Sequence, residues 1–267
     1  MQETMDHFAA ACTDFGLTIN TKKTEVLHQP APGQLYIEPQ ITTGGELLTT
    51  CEKFVYLGST LSHSVHINQE VSCRISKASA AFGRLQSSVW DHHRISLSTK
   101  LQVYQAIVIT SLLYGCEMWT VYSRHAKQLN RFHMCCLRKV MHVTWQEKIP
   151  DTGILGRANL PSIFAMLKRS QLRWSGHVHH MADDRLPKCL LYGELCVGCR
   201  SQGGQRKRYK DALKANLKCC NICPETWESV AANRSHWHAA ITIAIKHFEQ
   251  QRILEMQAKR HQRKSRT

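Results

Sequence analysis

From residue 68 onward, apolar side chains return every three or four positions, in one segment after another. Val71, Ile75, Ala78, Phe82, Leu85 and Val89 do so over 68–90. Residues 96–119 hold the most apolar stretch, with N-cap chemistry at Ser96 to Thr99 and a glycine stop at Gly115. Leu129, Phe132, Cys136 and Val140 repeat the spacing over 123–142. Ile163, Met166, Leu167, Ser170 and Trp174 carry it on after Pro161. A last run from about His236 to Lys259 aligns Trp237, Ile241, Ala244, Ile245 and Phe248. A 3.6-residue period with one apolar stripe specifies helices that bury those stripes against each other. Most of the chain is therefore committed to helix packing.

The first sixty or so residues read differently. Met5, Phe8, Ala9, Cys12 and Phe15 lie along one side of a helix over 5–15, and Gly16 ends it. Leu17, Ile19, Val26 and Leu27 predict short strands around the polar Asn20–Glu25 turn. Leu35–Ile37 reads as a strand, Thr43–Glu46 as a turn and Phe54–Leu57 as a further strand. The expected fold class is α+β, predominantly α.

The charge balance is strongly basic, with 35 Lys+Arg against 20 Asp+Glu for a net +15. It is also clustered. Arg200, Arg206, Lys207, Arg208, Lys210, Lys214 and Lys218 face Asp211 alone, next to Gly203-Gly204, with Tyr209 placed to stack. Such a run suits the phosphates of RNA or DNA and equally a solvated helix face. The last eight residues, 260–267, read as a disordered basic tail. Leu101–Cys116 is uncharged but short of the roughly 20 apolar residues of a membrane span, so a buried helix is expected.

Twelve cysteines, some in adjacent pairs such as Cys135-Cys136 and Cys219-Cys220, do not form a disulfide framework. Met1 to Phe15 carries Glu3, Asp6 and Asp14 and neither Lys nor Arg, unlike a secretory signal. The chain is expected to be intracellular, nuclear or cytoplasmic, with reduced thiols and an oligomeric state left open. Cys196-x-x-Cys199 and Cys220-x-x-Cys223 are spaced nearly as in a zinc ribbon. His177, His179 and His180 lack a cysteine or carboxylate at ligand spacing and read as surface or partly buried side chains.

Phe15–Leu27 and Phe54–Ser59 resemble the segments that follow the active site in endonuclease–reverse transcriptases of non-LTR (LINE-type) retrotransposons. The resemblance continues in order through Arg74–Ala78, Ala81–Leu85, Leu112–Gly115 with Glu117 and Trp119, Gln171–Val178, Arg185–Lys188, Leu191–Leu195 and Gly203–Asp211. It implies a palm remnant with a primer-grip-like hairpin over 1–62, a helical thumb over 63–145 and a helical basic region over 146–259. Lys23 matches a palm lysine that acts as general acid toward pyrophosphate. Phe54, Val55, Tyr56, Leu57 and Gly58 match the primer grip. Arg206, Lys207, Arg208 and Lys210 fall in the basic segment assigned to nucleic-acid contact.

The resemblance implies a parent RNA-directed DNA polymerase using Mg²⁺ held by paired aspartates on a hairpin. That hairpin would precede the point where this sequence starts, so the chain alone is expected to be inactive and to keep nucleic-acid binding. Met181-Ala-Asp-Asp184 imitates the motif but comes too late in the order, and Pro187 would break its second strand. The Arg200–Lys218 segment follows the family pattern without metal logic, and no zinc is expected. The alternative reading is a host nucleic-acid-binding module, zinc-stabilised at Cys196, Cys199, Cys220 and Cys223 or zinc-free.

Overall fold

The structure, a computed structural model, describes residues 1–30, 35–63, 67–193 and 207–265. These divide into two compact units, one within Met1–Glu70 and the other from Val71 onward. The first unit opens with helix α1 (Gln2–Asp14). Gly16, at φ +67°, closes it: Leu17 N–H donates to the Cys12 carbonyl and Gly16 N–H to that of Thr13. This pair of bonds satisfies the terminal carbonyls and needs a left-handed residue.

Six short strands follow among the described residues. β1 (Glu25–Val26) pairs in parallel with β4 (Thr49–Thr50). β2 (Thr42–Thr43) and β3 (Glu46–Leu47) form a hairpin around Gly44-Gly45, both at positive φ. β5 (Lys53–Tyr56) and β6 (Ser59–Ser62) form a second hairpin, pairing Phe54 with Leu61 and Tyr56 with Ser59. No strand forms at Leu17–Ile19 or Leu35–Ile37, where the alternation was too brief to secure a partner. Gln2 ties α1 to β2, exchanging two 3.0 Å hydrogen bonds with the Thr42 backbone. Ile41 and Leu48 are the buried apolar side chains among this unit's described residues.

Helix α2 (Asn68–Arg84) runs into the second unit and ends in a π-helical turn, Gln86–Trp90. The helix expected over 96–119 is broken into pieces. α3 (Leu97–Val103) passes into a π-helical stretch, Tyr104–Ile109, and a last turn, α4 (Thr110–Leu112). Gly115 at φ +74° then redirects the chain into a 3₁₀ turn, Cys116–Met118. The π stretch begins at Tyr104, which is fully buried among aromatic neighbours. Phe82 and Trp90 stack at 4.9 Å, and Tyr104 meets both edge-on. Trp90 Nε1 donates to the Phe82 carbonyl (2.8 Å), and the buried Lys100 ammonium to the Trp90 carbonyl (2.7 Å). On the far side Tyr104 OH lies 2.8 Å from His133 Nδ1 on α5 (Ser123–Val140).

The remaining helices are α6 (Asp151–Ala158), α7 (Ile163–His179), α8 (Leu186–Tyr192), α9 (Tyr209–Cys219), α10 (Trp227–Ala231) and α11 (Arg234–Lys264). Arg138 on α5 pairs with Asp151 at the start of α6, at 2.6 Å. α7 is central, packing against α5, α8, α9, α10 and α11. Its antiparallel contact with α11 is fixed at two places. Ser162, the α7 N-cap, donates to Glu249 at 2.6 Å, and Arg252 holds Glu249 at 3.2 Å. Farther along, Trp237 Nε1 donates to the Leu172 carbonyl at 3.0 Å while the indole lies on Gly176. A methyl group at residue 176 would overlap the indole nitrogen.

α11 is helical through Lys264, five residues into the segment expected to be a disordered tail. Neither Pro nor Gly interrupts residues 234–264, so nothing in the sequence stops the helix. No helix of the described residues is long and apolar enough to cross a membrane.

Gly176→Ala gains about 1 kcal/mol of helix propensity but overpacks the crossing, so a net loss of about 1–3 kcal/mol is expected in urea denaturation. Gly83→Ala, on an exposed helical site with open space around it, should instead stabilise by about 0.5–1 kcal/mol. His133 provides the second test. Burial lowers its pKa to about 4, against a smaller opposing pull from Asp151. As pH falls below the ordinary 6.5, the unfolded chain takes up this proton before the folded one. Its contribution is thus intact above pH 6.5 and lost towards pH 4, on the order of 3 kcal/mol. Denaturation at pH 7 and at pH 4.5 should show the loss, and His133→Gln should flatten it.

Candidate nucleic-acid interface

The primer-grip-like residues form the β5–β6 hairpin. Leu57 (φ +47°) and Gly58 (φ +84°) make its two-residue turn, matching the twist of the paired strands. Glycine takes that conformation freely, whereas Leu57 holds it at a cost of roughly 1 kcal/mol. The tip is therefore strained, and it presents Val55, Tyr56, Leu57 and Leu61 to solvent. Phe54 is half-buried. Period-two alternation puts Phe54 and Tyr56 on one face with Leu61, an aromatic surface able to take a base or sugar. Glu70, at the start of α2, anchors the hairpin by accepting from Thr60 N–H at 2.6 Å.

Lys23 closes the 3₁₀ turn Thr21–Lys23, and the Asn20 side chain caps it by accepting from Lys23 N–H at 3.2 Å. Lys23 is exposed. It precedes β1 at the N-terminal end of the parallel β1–β4 pair, whereas the β5–β6 hairpin leaves that pair at its C-terminal end.

In the basic segment, Arg206 lies outside the described residues. Lys207 N–H donates to Tyr122 OH at 3.0 Å, and its ammonium lies 5.6 Å over the Tyr122 ring. Arg208 is turned onto Asp211: its N–H donates to Oδ2 at 3.1 Å, and its guanidinium is 3.5 Å from Oδ1. Tyr209, expected to stack, points inward instead. Burial, aided by Glu117 and Cys116, holds its phenol above the ordinary range. What stays exposed is a row of lysines. Lys210, Lys214 and Lys218 are spaced by four residues, so they share one face of α9, and the exposed Lys207 lies just before the helix. Leu213 and Leu217, on the stripe beside these lysines, are buried. Asn216 locks α9 to α7, accepting from Lys168 at 2.7 Å and donating to Gln171, which itself donates to the Trp119 carbonyl at 2.7 Å.

The cysteine set is split. Cys220 is buried in the apolar core beside Leu217 and Trp227, and burial pushes its thiol up to about 11. Cys223 is exposed and donates to Glu225 at 2.9 Å. Cys196 and Cys199 lie outside the described residues. Among the described residues, no three His, Cys, Asp or Glu side chains cluster as metal ligands would. Asp183 and Asp184 sit in the turn between α7 and α8, and Pro187 opens the first turn of α8. Asp183 pairs with Lys188 at 2.8 Å, which holds its carboxyl below the usual range. That fully committed, exposed carboxylate does not fit a two-magnesium centre.

A second basic cluster escaped the sequence reading. Arg173, His177 and His180 line a cavity with Arg234, Ser235 and His238. The three α7 positions are separated by four and three residues, a one-face signal present in the sequence. Its partner side, at the start of α11, becomes adjacent only through packing.

No family profile matches the chain, and no solved structure matches it. It is 25% identical over 245 residues to the transposon-derived protein F52C9.6 of Caenorhabditis elegans, covering 86% of this chain and 84% of that one. It is 21% identical over 215 residues to the RNA-directed DNA polymerase from mobile element jockey of Drosophila funebris. That match takes in 80% of this chain and 22% of the polymerase. The corresponding jockey polymerase of Drosophila melanogaster is 20% identical over 153 residues, 57% of this chain and 16% of that one. The chain thus spans about a fifth of the length of the jockey polymerases it matches. These similarities place its origin among retrotransposon-related proteins.

Proposed function

We propose that this chain is a nucleic-acid-binding part of a LINE-type reverse transcriptase, engaging RNA or DNA through backbone phosphates. The observation that carries this reading is the exposed lysine row Lys210, Lys214 and Lys218 on a helix locked to the core, with Lys207 exposed just before it. Three cations on one helix face can track a phosphate backbone without reading bases. The net charge of +15 and the similarity to jockey polymerases support the same reading.

The hairpin has a second part in it. Phe54 and Tyr56 would offer stacking surfaces, and the strained Leu57-Gly58 tip would approach the strand most closely. Lys23 would serve as general acid only next to a polymerase centre that supplies magnesium and its carboxylates. The chain's own contribution is to hold strands, not to transfer nucleotides. The reading as a host binding module differs in needing no polymerase partner, and the same lysine row would serve it.

Fluorescence anisotropy with a labelled single-stranded oligonucleotide tests the proposal. Affinity should fall steeply with salt and vary little with sequence. Replacing Lys210, Lys214 and Lys218 with Ala should weaken binding and reduce the log–log salt slope by about 2, at roughly 0.7 per lost phosphate contact. An unchanged slope would remove the lysine row from the interface.

A further inference from the structure

The cavity between α7 and the start of α11 has a volume of about 480 Å³. Arg173, His177 and His180 line it from α7, and Arg234, Ser235 and His238 from α11. No carboxylate of the described residues lines it. Arginine is permanently charged and offers a planar fork of donors, and each imidazole carries at least one ring nitrogen for hydrogen bonding. Two guanidinium groups, three imidazoles and one hydroxyl thus converge on a space with nothing anionic to neutralise them.

The floor of the cavity is rigid. It is made by Gly176 and by the buried Trp237, whose indole is pinned to the Leu172 carbonyl. The same Gly176 contact that joins the two helices brings the two arginine-bearing faces together. His180 is half-buried at the C-terminal end of α7, its ring edge-on to that of His179. The site also lies at an α-helix start, where Asn233 caps the His236 N–H. The first backbone N–H groups of α11 favour negative charge there.

We propose that this cavity binds a phosphomonoester, the group carried at the end of a nucleic-acid strand. The high density of donors without an opposing acid favours the doubly charged monoester over the singly charged diester of an internal linkage. The volume exceeds that of a bare phosphate and leaves room for the attached sugar. The site is separate from the lysine row, whose residues do not line it. Delivery of a strand end to it rests on the nucleic-acid binding proposed above, but recognition of the phosphate does not.

The full chain is titrated, at one fixed salt concentration, with two oligonucleotides that differ only in bearing a 5′-phosphate or a 5′-hydroxyl. A nucleoside monophosphate serves as a third ligand, followed by calorimetry. The 5′-phosphate should tighten binding roughly tenfold, the scale of one or two charge-assisted hydrogen bonds. The advantage should disappear in the variant carrying Arg173→Gln and Arg234→Gln and persist when Lys210, Lys214 and Lys218 are replaced by Ala. Both arginines are exposed, so the double variant should keep the wild-type denaturation midpoint. Binding of the monophosphate alone, lost in the arginine variant, would place the natural ligand among free nucleotides and keep the site. Equal affinity for the two oligonucleotides together with no monophosphate binding would overturn the site. Loss of all oligonucleotide binding in the wild type, with monophosphate binding intact, would instead overturn only the lysine-row reading.

Discussion

The second unit depends on one close approach, the Trp237 indole lying on Gly176. A residue without a side chain lets two helices come near enough for the indole N–H to reach the Leu172 carbonyl. Burying that indole is worth about 3 kcal/mol or more, and the hydrogen bond relieves the polar cost of doing so. The contact sets the depth of the α7–α11 crossing, while Ser162, Glu249 and Arg252 set its register at the other end. With α7 held there, its remaining faces become platforms. Gln171 and Lys168 receive α9 through Asn216, and Leu172 and Val178 feed the apolar core.

This arrangement explains why two basic surfaces can exist on a small helical body without pulling it apart. Both are borne on helices that also bury an apolar stripe, so charge is displayed at fixed spacing on exposed positions. Arg208 is the informative exception. Its position in the sequence run was equivalent to that of Lys207 or Lys210, yet Asp211 three residues later captures it at the helix start. The first unit is built on other terms. Its described residues bury little apolar surface beyond Ile41 and Leu48, and backbone hairpins with side-chain ties such as Gln2 to Thr42 carry its structure. Phe8, Phe15, Leu17 and the hairpin tip remain exposed.

Much of this was legible in the residues. The helical periods at 68–90, 123–142, after Pro161 and from His236 each correspond to a helix, and Gly16 ends α1 as a left-handed glycine should. The strand read over Phe54–Leu57 forms over Lys53–Tyr56, and Leu57 turns out to belong to the hairpin turn with Gly58 rather than to the strand. What misled was context. The apolar 96–119 stretch promised one helix, but enclosing Tyr104 between Phe82, Trp90 and His133 accompanies a π-helical stretch there. Tyr209 looked like a stacking residue because its neighbours are basic, and only its burial near Glu117 and Cys116 shows that it faces inward.

The sequence by itself determined where helices run, where the charge gathers and which family the ordered motifs resemble. Those properties are local, arising from side-chain period, backbone freedom and composition. Tertiary structure decided which charged groups are spent and which are displayed. It paired Arg208 with Asp211 and Asp183 with Lys188, sent Cys220 into the core, and brought Arg173 to Arg234 across sixty residues of chain. Such pairings depend on the distance between helices, and that distance was set by a missing side chain at Gly176 and the indole that filled its place.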